Sequence, residues 1–262
     1  MRPSTVLAFL SAFAAAGCVA LDEAVSPASS SMPSDAGYGR LDPGAYKLDS
    51  LHFRVEAYGA DKAAKASETA ETLYRKVMED TGLYSFMPRE LYPLVLYGSR
   101  EEYLRKTGLP EWSGGASVGR ALYMYDGPGL RPTLAHEMTH LIFGEFLGRQ
   151  DPSLRWLNEG LAVYEEQEAS QEWRGRATTR PIPFREMMNL APLGEKDALV
   201  NDWYGQVGSV VRFMIERGGR VGFGEFLKAM KDGRSPDEAV RAGFPGGWAN
   251  MAALETAWAA SR

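Results

Sequence analysis

The chain has 262 residues, 45% of them hydrophobic, 24% charged and 11% aromatic, and it carries a formal charge of −5. This is the composition of an ordinary globular protein and excludes a collagen, a coiled coil and a wholly disordered chain. With 29 Lys and Arg against 34 Asp and Glu there is no basic excess of the kind that binds nucleic acid, and one Cys excludes an internal disulfide.

At the start of the chain, Arg2 precedes an apolar run from Val6 to Ala16 that ends in small residues. That is the layout of a secretory leader, and it is too short to cross a bilayer, which takes roughly 20 residues. Ala15-Ala16-Gly17-Cys18 resembles the lipobox of bacterial lipoproteins. The resemblance implies a leader over residues 1–17, acylation of Cys18 and a protein anchored by lipid in the cell envelope, outside the cytoplasm. Val19 rather than Asp follows Cys18, which by the same resemblance implies the outer membrane of a Gram-negative source. Residues 22–45 are rich in Ser, Pro, Gly and Asp and hold too little apolar surface to offset the entropy of ordering, so 18–45 read as a flexible tether.

Folded structure is expected from residue 46 to 262. Leu51 to Tyr58 alternates apolar and polar side chains, the pattern of a half-buried strand. Asp61 to Asp80 reads as a helix closed by Thr81-Gly82, Tyr92 to Tyr97 as a second strand, and Arg100 to Lys106 as a short helix. Ala121 to Asp126 reads as a third strand, closed by Gly127-Pro128-Gly129. It is either a sheet edge to which an extended peptide adds, or a structural strand. Beyond Pro132 the pattern is helical to the end. Val207, Val210, Val211, Met214 and Ile215 recur at helical spacing as core positions, and so do Phe223, Phe226, Leu227 and Met230. The expectation is an α+β fold, a small mixed sheet with helices followed by an all-helical second half, with sublobes meeting near residue 150.

Two of the three His residues lie in His136-Glu137-Met138-Thr139-His140, an H-E-x-x-H motif. Pro132 suits a first helical turn and Gly148 a stop, so the motif falls within a helix. At about 100° per residue, positions 136 and 140 are separated by about 40° around the axis and by about one turn along it. Both imidazoles therefore project from one face, where they can share a zinc ion, with Glu137 on the flank. A third protein ligand is required, and His52 belongs to the first strand. Trp156-Leu157-Asn158-Glu159-Gly160-Leu161-Ala162-Val163-Tyr164 follows the Asp151-Pro152 turn as the start of another helix. Helices joined by a short connection lie antiparallel, which brings Glu159 to the middle of the first helix as the third ligand. Glu166, seven residues beyond Glu159, reads either as a partner of a metal ligand or as part of a solvated acidic run.

H-E-x-x-H followed, after eighteen intervening residues, by Glu159 in W-L-N-E-G-L-A-x-Y resembles the gluzincin zinc metallopeptidases. It is similar to the zinc core of the M1 aminopeptidases, and more so to compact bacterial peptidase MA-like proteins, over roughly residues 131–166. The resemblance implies a zincin-like fold with the active-site helix between the sheet and the helical half. It implies one Zn²⁺ per chain held by His136, His140 and Glu159, with Glu137 as catalytic base and a peptide or protein as substrate. A Tyr in the helix after the second zinc helix often serves such proteins as oxyanion donor, which points to Tyr204. Gly114-Gly115-Ala116-Ser117 lacks the acidic residue by which aminopeptidases capture a free amino terminus, so the implied activity is that of an endopeptidase. Two other readings stand beside it. One is an inactive lipoprotein that keeps the zincin fold as a binding module, and the other is a zinc amide hydrolase acting on a non-peptide cell-envelope substrate.

Overall fold

A computed structural model describes residues 39–83, 86–170, 181–190 and 197–262. The expected leader over 1–17, Cys18 and the tether as far as residue 38 lie outside the described residues. Strands β1 (Tyr46–Asp49), β2 (Phe53–Ala57), β3 (Tyr92–Tyr97), β4 (Gly115–Val118) and β5 (Ala121–Tyr125) form one mixed sheet in the order β1-β2-β3-β5-β4. The three central strands, β2, β3 and β5, run parallel, and β1 and β4 pair antiparallel at the two edges. Helix α1 (Ala60–Thr81) makes the crossover from β2 to β3, and α2 (Arg100–Thr107) follows β3. The chain then continues through α3 (Leu130–Leu147), α4 (Arg155–Ser170), α5 (Phe184–Asn189), α6 (Asp197–Gly218), α7 (Arg220–Lys231), α8 (Pro236–Gly243) and α9 (Met251–Ala260). The architecture is α+β, as its pattern of strands followed by helices predicts. Among the described residues no helix is long and apolar enough to cross a membrane.

Two strands are new. The segments forming β1 and β4 are four residues each, Tyr-Lys-Leu-Asp and Gly-Ala-Ser-Val, too short and too weakly alternating to announce themselves. Their presence corrects the reading of 121–126 as a candidate edge, because β5 is enclosed between β3 and β4. Gly119, at φ +58°, turns the chain between β4 and β5, and β4 is the sheet edge instead. Order also begins before the expected boundary at 46. The Tyr97 hydroxyl donates to the Gly39 carbonyl at 2.6 Å, the Lys106 ammonium reaches Arg40 O and the Asp42 carboxylate, and Leu41 is buried beside Tyr97 and Tyr103.

The sheet has an apolar layer on both faces. Phe53, Val55, Leu94, Leu96, Leu122 and Met124 join α1 and α3 in the main core, whereas Tyr97, Ala121 and Tyr123 alternate to the other face against Tyr103 of α2. The main core continues without a break into α6 through Val207, Val210, Val211, Met214 and Ile215, and into α7 through Phe223, Phe226, Leu227 and Met230. The expected sublobes meeting near residue 150 thus share one core.

Helices α4 and α6 approach until backbone meets backbone. A Cβ at Gly160 would stand 2.7 Å from Val207 O, and one at Gly208 would stand 2.6 Å from Val163 Cγ1. Gly160→Ala is therefore expected to lower stability by about 1–3 kcal/mol through overpacking. Gly144→Ala, at an exposed α3 position where a Cβ meets nothing within 4 Å, is expected to raise it by about 0.5–1 kcal/mol. Thermal or denaturant unfolding of the two variants checks the pair, and equal effects would contradict the packing described.

Candidate metal centre

Helix α3 starts directly after the Gly127-Pro128-Gly129 turn, with Pro132 in the first turn where its missing N–H breaks no helical bond. It stops where Gly148 takes the left-handed conformation at φ +68° and donates its N–H to Gly144 O. Between those points every residue from Leu134 to Phe143 is buried, because the sheet covers one side of α3 and α4 the other. Helix α4 has its own start signal. The Asp151 carboxylate accepts from Ser153 N–H and caps a 3₁₀ turn, Pro152–Leu154, that runs straight into α4.

The two helices are antiparallel, and side-chain hydrogen bonds fix their register. His140 Nδ1 lies 3.0 Å from Asn158 Oδ1, and His136 Nδ1 lies 3.0 Å from Glu166 Oε2. Both partners are acceptors, so each ring carries its proton on Nδ1 and turns Nε2 toward Glu159. Nε2 of His140 is 3.7 Å and Nε2 of His136 is 4.0 Å from Glu159 Oε2. One ligand atom from each of the three residues lies within 4.8 Å of the others. These distances are too long for hydrogen bonds and short enough for a shared ion with bonds of about 2 Å. A buried group of His136, His140 and Glu159 that can hold a metal ion is thus a property of the fold.

The residues fit a cation on grounds beyond distance. Glu137, beside His136 on α3, is completely buried, and among the described residues neither of its carboxylate oxygens has a hydrogen-bond partner. The Nε2 atom of His136 has none among the described residues either. A buried carboxylate without a donor is strongly unfavourable unless a positive charge stands nearby. The titration of His136 reflects the same demand. Burial works against the imidazolium, but the Glu166 hydrogen bond and the charges of Glu166, Glu137 and Glu159 outweigh it and push the pKa up to about 9. Two imidazoles and one carboxylate form a donor set suited to zinc-like transition ions, whereas calcium and magnesium prefer oxygen throughout.

Of the residues singled out in the sequence, His136, His140 and Glu159 converge, and Glu137 adjoins them. Tyr204 lies on α6, half-buried against the main core with its ring edge-on to Trp203 at 5.0 Å. It is one turn before Gly208, where α6 meets α4. Cys18 is outside the described residues. The structure places Glu166 against His136, one of the three residues that could hold a metal, rather than in a solvated run. Asn158 has the same kind of role on His140 and went unnoticed in the sequence; its place immediately before Glu159 was the available signal.

No family model matches the chain, and neither a curated protein nor a solved structure matches it.

Metal analysis of the purified full-length protein is expected to find close to one transition-metal equivalent per chain. Glu159→Ala should lose most of it, and Glu166→Ala should weaken affinity about 10- to 100-fold by freeing the His136 ring. A folded wild-type protein that takes up no zinc in a competition titration would contradict the assignment.

Proposed function

We propose that the protein is a zinc metallopeptidase of the gluzincin type, with a zincin-like fold, that cuts peptide bonds outside the cytoplasm while held to the envelope membrane through acylated Cys18. One observation carries the reading. Two imidazoles and a carboxylate converge from antiparallel helices, with a second, buried carboxylate beside them that no donor among the described residues satisfies. A metal site that only braced the fold would have no use for Glu137. It would also fill its coordination with protein ligands, commonly four, whereas three leave a position for water or substrate.

His136, His140 and Glu159 would hold the ion, with Glu166 and Asn158 keeping the two Nε2 atoms turned inward. When bound, zinc supplies Lewis acidity for the scissile carbonyl and for the attacking water. Glu137 takes the proton that the water loses and delivers it to the departing amine, a role suited to a carboxylate shielded from bulk solvent. Tyr204 is assigned the hydrogen bond to the oxygen that gains negative charge. The substrate is a peptide or protein main chain, for which β4 is a partner: it pairs with the sheet on one side only, and Gly115 at its start lies against Thr133 in the first turns of α3. The segment 114–117 brings no acidic side chain to hold a free amino terminus, which favours internal cleavage.

The test is digestion of a peptide library by the zinc-loaded full-length protein, followed by mass spectrometry. Wild type is expected to cut. Glu137→Gln should retain zinc and lose about 10²- to 10⁴-fold in rate. Tyr204→Phe should lose about 10²- to 10³-fold in kcat with little change in KM. An uncut library with fully loaded wild type, or an unimpaired Glu137→Gln protein, would refute the enzyme, while an unimpaired Tyr204→Phe protein would remove only that residue.

A further inference from the structure

A cavity of about 190 Å³ lies between the outer side of α1, the first turn of α3 and the last turns of α4. Leu73 and Ala169 give it apolar wall, while Arg75, Lys76 and Glu79 of α1, Arg131 of α3, and Glu165 and Glu168 of α4 bring ionisable groups to it; Glu168 is paired with Arg212. Lys76 is engaged, since its ammonium joins the carboxylates of Asp80 and Glu168. Glu165 is not. It is 2% exposed, its Oε1 has no hydrogen-bond partner, and no cation forms an ion pair with it among the described residues. Arg75 and Arg131, both exposed, likewise enter no ion pair among the described residues. This cavity is separate from the metal centre. Successive residues on a helix point about 100° apart, and it is Glu166, not Glu165, that turns to His136.

We infer that this cavity binds a small free amino acid, its ammonium group paired with Glu165 and its carboxylate with Arg75 and Arg131. A simple cation would answer Glu165 but leave the guanidinium groups of Arg75 and Arg131 unanswered. A simple anion would suit the guanidinium groups but bring further negative charge to a carboxyl already crowded by Asp80 and Glu168. Both charges of the cavity are satisfied only when they arrive together on one short molecule. Burial first, and then the charge of Asp80, push Glu165 up to about 8, a penalty that an adjacent ammonium relieves. At about 30 Å³ per water-sized group there is room for about six such groups, close to the six non-hydrogen atoms of alanine.

Calorimetric titration of the full-length protein with L-alanine, and separately with acetate and ethylammonium as its two halves, tests the inference. L-Alanine is expected to bind saturably at one site, with each half at least about tenfold weaker. Glu165→Gln, which keeps shape, and Arg131→Ala, on the surface, should each weaken alanine binding at least about tenfold while the melting temperature stays near that of wild type. Absence of alanine binding up to about 10 mM would overturn the proposal. So would alanine affinity unchanged in both variants, or acetate binding as well as alanine, which would mark an anion site only.

Discussion

Four ionisable side chains, His136, Glu137, His140 and Glu159, are withdrawn from water together between α3 and α4, and much of the surrounding structure is explained by that single constraint. Away from water their mutual electrostatics are strong, so small displacements have large energies and the groups must be held firmly. The sheet backs α3, and α6 backs α4 at a distance that only glycine at position 160 permits, one residue from Glu159. The outward nitrogens of both imidazoles are tied to α4 by Asn158 and Glu166. The ligand atoms cannot spread apart without opening the main core, which is the rigidity that a preorganised metal site requires.

A second buried acid shows how the same fold treats a charge that it uses for scaffolding. Asp80, at the end of α1, is completely buried, yet Lys76, Arg220 and the Tyr164 hydroxyl all point at it, drawing α1, α4 and α7 together. Its charge is answered from three elements of the protein. Glu137 has no such answer among the described residues. The contrast separates a carboxylate whose partners are built in from one whose partner has to be brought, and violations of the ordinary pairing rule concentrate where a protein does chemistry.

Much of this was legible in the sequence, for identifiable reasons. The helical placement of His136 and His140 follows from their spacing of four and from Pro132 and Gly148 as bounds, and Glu159 follows from the short Asp151-Pro152 connection that forces α4 back along α3. Long, strongly periodic segments such as α1 and β3 were recovered almost residue for residue. The strands β1 and β4 were not, because four-residue segments gain their order from the neighbouring strand rather than from their own pattern. Glu166 was undecidable because seven residues from Glu159 brings it near the same helix face, yet only the partner helix shows which way its carboxyl turns. The close contact at Gly160 depends on α6, more than forty residues along the chain, and a glycine within a helix carries no local sign of what lies against it.

The attachment of residues 39–45 determines how the domain answers to mechanical load. A pull on the chain at Gly39 is taken first by the Tyr97 hydroxyl, the Lys106 ammonium and the Tyr58–Asp42 contact, all on the α2 side of the sheet. If those yield, the next element in line is β1, an edge strand joined to the sheet only through β2. Tension entering from the amino-terminal side is thus taken up first at the sheet margin, which β2 and β3 separate from β5 within the sheet. Strain at this end of the domain can therefore open the sheet margin while His136, His140 and Glu159 keep their places between α3 and α4.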